Sequence, residues 1–111
     1  MKDFPAREKL DLMEKVARYL VLAGTLDKNS APDDYELANE LSLELAMVLP
    51  TLIYRAMVDA AAHPDSKVNP GSVAVMMRRE MLSPVDGDLQ ADQVAFHTPG
   101  MPSPRPRGKS H

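Results

Sequence analysis

The side chains with the most chemical potential in this chain are three histidines and a row of glutamates. Asp59 and His63 stand four residues apart, on one face of a helix, but a metal site needs at least a third protein ligand and two at this spacing are a weak signal. His97 and His111 fall in a later stretch of different composition. Glu36, Glu40 and Glu44 repeat at the helical interval and form an acidic stripe, which reads as a solvated face or as a contact for a basic partner. There is no cysteine, and no Ser/His/acid set, phosphate-binding loop, dinucleotide glycine pattern or HExxH motif is present. These residues predict a non-catalytic protein with neither metal nor cofactor. Methionine is the more suggestive type: Met13, Met47, Met57, Met76, Met77 and Met81 all fall in helical pattern, where methionine fills irregular gaps or makes adaptable binding surfaces.

A chain of 111 residues accommodates one core, and without disulfides that core rests on packing alone. The N-terminal "MKDFPAREKLDLMEK" has no apolar run of the kind a secretory signal carries. Pro50, Thr51, Arg55 and Asp59 interrupt the only apolar stretch that approaches the roughly 18 residues of a membrane span. The expectation is a cytoplasmic protein with no membrane association. Formal net charge is −3, with 10 basic against 13 acidic residues up to Leu82 and three of each beyond it. Nucleic-acid binding rests on a cationic surface that releases counterions, so this balance argues against a nucleic-acid partner.

The elements that must position these groups are helical. Residues 1–82 read as one helical domain, with apolar residues at the 3.6-residue period and no strand pattern. A first helix runs from Phe4 or Pro5 to Ala23, with Asp3 as its cap and Gly24 at the end where a left-handed residue is favoured. Its apolar face gathers Leu12, Met13, Val16, Ala17, Leu20, Val21 and Ala23, and Leu22 is left on the polar side. "SAPD" announces the second helix, with Ser30 as cap, Asp33 completing a capping box and Pro32 in the first turn. It continues to Ala62, before His63 and Pro64.

Pro50 lies in the middle of that second stretch. Leu49 is a poor cap for a new helix, and Glu36, Glu40, Glu44, Thr51, Arg55 and Asp59 keep one polar edge through the proline. The pattern therefore predicts a single kinked central helix of about 30 residues, some 45 Å long. Asn69 and Pro70 open a third helix of about 13 residues whose apolar row is Val73, Met76, Met77 and Met81. From Ser83 to His111 the chain holds five of its ten prolines and few large apolar residues, which predicts a disordered, proline-rich C-terminal tail.

The fold expected is thus all-α: a small three-helix domain with a long kinked central helix, and a tail at 83–111. Apolar residues wrap nearly all of the central helix, more than two short neighbours can cover, so a homodimer is expected. The interface residues would be Leu22, Tyr54, Met57, Val58, Met76, Met77 and Met81. The function this favours is a protein–protein interaction module, a regulatory adaptor or a subunit of a larger assembly. The alternative is a dimeric DNA-binding transcriptional regulator. The order helix, long helix, short helix, with "KVNPGSV" before the last, has a loose likeness to a histone-type handshake, although the second helix lacks that pattern's apolar phase. In that reading Lys67, Arg78, Arg79, Arg105, Arg107 and Lys109 would meet phosphates.

Overall fold

In a computed structural model of the protein, residues 4–82 and 89–97 are described. Among the described residues the chain is all-helical, with α1 (Ala6–Gly24), α2 (Pro32–Val48), α3 (Thr51–Ala62), α4 (Pro70–Met81) and one 3-10 turn, Ala91–Gln93. No helix among the described residues is long and apolar enough to cross a membrane. The proposed Asp3 cap, and the tail at 83–88 and 98–111 with its arginines, lie outside the described residues.

Helix α1 is contacted by α2, α3 and α4. It buries Leu12, Val16, Tyr19 and Leu20, and half-buries Met13, Leu22 and Ala23. The inward face is therefore rotated from the one the wheel predicts: Leu22 packs against the core and Val21 points to water. The end of α1 differs as well. Gly24 stays helical, and Thr25 closes the helix by donating its hydroxyl to the carbonyls of Val21 (3.1 Å) and Leu22 (3.0 Å), which satisfies acceptors left over at a helix end.

Helix α2 begins one residue later than the capping box requires. Its cap is Ala31, with no side-chain bond. The Ser30 hydroxyl instead accepts from the Asp27 amide (2.9 Å), while the Asp27 carboxylate accepts from Asn29 (2.7 Å). Both groups are used inside the loop. Asp33 and Asp34 in the first turn sit at the positive end of the helix dipole.

The predicted continuous central helix is two helices. Leu49 (φ −83°, ψ 145°) and Pro50 (φ −54°, ψ 143°) are both extended and separate α2 from α3. A residue before proline is sterically pushed out of the helical region, and a proline inside a helix costs about 3 kcal/mol. Missing a cap costs only about 1 kcal/mol. Here it is cheaper still, because Thr51 and Leu52, whose amides have no helical partner, are exposed to water. Leu49 is 8% exposed: it serves the junction by filling the core, not by capping.

The break also removes the reason for requiring a second chain. α2 buries Ala38, Leu41 and Leu45, α3 buries Ile53, Met57 and Ala60, and the two faces enter one core from different directions. Leu45, Met57, Val73 and Met81 are sealed by the chain's own helices.

Helix α4 starts as its sequence indicates. The Asn69 side chain accepts from the Ser72 amide (3.0 Å) and the Ser72 hydroxyl accepts from the Asn69 amide (2.9 Å), a reciprocal cap. Upstream, Asp65 accepts from the amides of Val68 (2.7 Å) and Lys67 (2.8 Å). Beyond Leu82, Leu89–His97 returns to α4 and packs its 3-10 turn there.

Candidate interaction surface

Alternation along α2 decides what reaches the surface. With Leu41 and Leu45 turned inward, Leu43 and Met47 must turn outward, and the elbow at Leu49–Pro50 adds Val48 before it and Leu52 after it. These four are 67%, 77%, 50% and 76% exposed for Leu43, Met47, Val48 and Leu52 in turn. They stand on both sides of the elbow in the chain. On either side of them in the chain stand exposed charges, Glu40 in α2 and Arg55 in α3. An apolar group of this size on a small domain marks a contact surface more often than an accident of composition.

An open groove of about 700 Å³ adjoins the elbow where α1 and α2 lie side by side, with Leu12 and Leu45 among its lining and Phe4, Met47 and Val48 at its apolar end. Its other wall is ionic. Lys15 donates to Glu44 at 3.0 Å and approaches Asp11 at 3.5 Å. The bond to Glu44, followed by the charge of Asp11, raises the Lys15 ammonium above its ordinary value.

Behind the elbow three helices share hydroxyl groups. Ser42 of α2 and Tyr54 of α3 are 2.8 Å apart through their hydroxyls, and Tyr19 of α1 is buried beside them. Burial raises the Tyr19 phenol above its ordinary value, the nearby Tyr54 adds to this, and the Ser42 hydroxyl opposes it. The Ser42–Tyr54 bond ties α2 to α3 across the elbow.

The residues expected at an interface divide into two groups. Met57, Met77 and Met81 are 0%, 3% and 1% exposed and belong to the core, so they present no surface. Leu22, Tyr54, Val58 and Met76 are half-buried against that core. The acidic stripe is shortened: Glu36 and Glu40 are exposed, while Glu44 is tied to Lys15 across the helix pair. Lys67 and Arg79 are exposed and Arg78 is half-buried, but the long central helix that the histone-type likeness requires is absent. Asp59 and His63 gather no third metal-ligating group, and among the described residues no set of three or more such side chains forms.

The sequence signal for the elbow lies at the seven-residue interval. Seven residues beyond Glu36 and Glu40 on the same helical face lie Leu43 and Met47, so the exposed stripe changes from acidic to apolar halfway along α2. Extending it instead through Glu44 and Thr51 led across the break. Comparison with models of protein families, with curated proteins and with solved structures finds no match to this chain.

Proposed function

We propose that the chain is a non-catalytic, cytoplasmic interaction module that acts as a homodimer and joins its second copy through the elbow. The observation that carries this reading is the exposure of Leu43, Met47, Val48 and Leu52 together, four large apolar side chains within ten residues. Their surroundings favour a second copy over an unrelated surface. In a two-fold contact, if residue i of one copy touches residue j of the other then j touches i as well, so a patch with an acid on one side and a base on the other can complement itself. Around the midpoint between Met47 and Val48, Leu43 mirrors Leu52 and Glu40 mirrors Arg55. Burying such a centre against itself removes apolar surface from water, while the flanking pairs set the orientation.

Light scattering on a size-exclusion column tests this directly. The wild-type chain at micromolar concentration should elute at twice the chain mass, and Met47→Glu with Leu52→Glu should elute at the chain mass with unchanged helix content. A wild-type monomer under these conditions overturns the proposal. Glu40→Arg and Arg55→Glu sharpen it, since each alone should weaken the dimer and the two together should restore it.

A further inference from the structure

Helix α4 has two buried rows. Val73, Met77 and Met81 face the core, whereas Gly71 and Val75, about one turn apart, lie on the opposite side. Val75 is 7% exposed yet is not among the residues of the core cluster, so something other than the core covers it. The returning segment Leu89–His97 packs its turn on this helix, with the Ala91 carbonyl against Gly71, on the side that Val75 shares. A Cβ on Gly71 would sit 2.6 Å from the Ala91 carbonyl oxygen and 3.1 Å from Asn69 Oδ1. The first distance is too short for any side chain, and the backbone at Gly71 is not left-handed, so glycine is needed for close approach alone. The turn makes its own bonds, from the Gln90 amide to Gln93 Oε1 (2.8 Å) and from the Gln93 amide to the Gln90 carbonyl (3.0 Å). Leu89 and Val94 flank it and are half-buried. A segment with a shape set locally, held by a glycine notch and two apolar side chains, is how a peptide ligand sits on a helix face.

We infer that the outer face of α4 is a peptide-docking groove and that Leu89–Val94 is its resident ligand. A partner enters by displacing this strap. The ligand class is a short segment with a tight turn that offers a carbonyl to Gly71 and an apolar side chain on each side. Residues 83–88 tether the strap covalently, so a weak ligand occupies the groove through high local concentration. The groove and the elbow are separate surfaces, and this inference does not depend on dimerisation.

The test uses the full chain and a fluorescent synthetic peptide of residues 89–97. Val94→Asp loosens the strap without touching α4 and should bind the peptide about tenfold more tightly than wild type, because the groove becomes vacant. Adding Gly71→Ala to that variant should abolish binding, because the notch is filled. Alanine suits a helical position better than glycine, so this change should not unfold α4. Amide hydrogen exchange provides the second readout: residues 89–94 should be protected in wild type and exchange at least tenfold faster in Gly71→Ala, with α4 unchanged. Equal peptide binding by wild type and Val94→Asp, binding that survives Gly71→Ala, no binding at all, or an unprotected strap in wild type would each overturn the inference.

Discussion

All four described α-helices of this chain start at a proline, and two of these starts are made in different ways. At Asn69–Pro70 the local side chains do the work: Asn69 and Ser72 satisfy each other's amides, and Asp65 gathers the turn before them. At Leu49–Pro50 no side chain caps anything, and the junction holds because Leu49 is inserted into the core while Thr51 and Leu52, at the open start of α3, are exposed. The first junction is written in neighbouring residues. The second is written in contacts with residues far away in the chain. A weak cap is therefore poor grounds for denying a break when the residue before the proline is large and apolar.

The contrast can be broken experimentally. Leu49→Ala should have the largest effect, a loss of about 2–5 kcal/mol in urea unfolding, as for other buried leucines cut to alanine. A loss under 1 kcal/mol would mean that the core does not hold the elbow. Asn69→Ala should cost about 1 kcal/mol, the range of a lost N-cap. Pro50→Ala should change stability by less than about 1 kcal/mol and leave α2 and α3 separate. Protection of the new amide at position 50, with helical carbon shifts running from 45 to 55, would show that the proline alone imposes the break.

The smallest effect belongs to Asp65. Amides of Val68 and then Lys67 bond to its carboxylate and lower its pKa below the ordinary 3.8. A group whose folded pKa is depressed stabilises the fold above its unfolded value, and this contribution is lost as the pH falls through the folded one. Wild type should therefore lose stability more steeply than Asp65→Ala as the pH drops below about 4. Parallel pH profiles of the urea midpoint would show that the turn contributes nothing through this charge.

Where local chemistry governs, the sequence was sufficient. The all-helical class and the start of α4 at Asn69–Pro70 follow from capping and periodicity, as does the row Val73, Met76, Met77 and Met81, of which Met76 is only half-buried. The extended bias at Leu49 was present in the sequence as well, but the seven-residue step from Glu44 to Thr51 concealed it by keeping a polar edge in phase. Ser30 was misassigned because a hydroxyl has several possible amides in reach, and it took the one from Asp27. Leu22 falls on the polar side of the wheel for a different reason. A wheel assumes one neighbour, whereas α1 packs against three helices and is apolar over a wider and shifted arc. The strap gives almost no periodic signal; only the glycine at position 71, inside an otherwise ordinary helix, hints that another backbone passes close by.

The elbow puts Leu49 indoors and Leu52 outdoors only three positions apart. Whatever grips the outside must hold the angle that keeps the inside filled, so association and folding draw on the same joint. Self-association at this joint would make the midpoint of thermal unfolding climb with protein concentration, and the chain would be most fragile when most dilute.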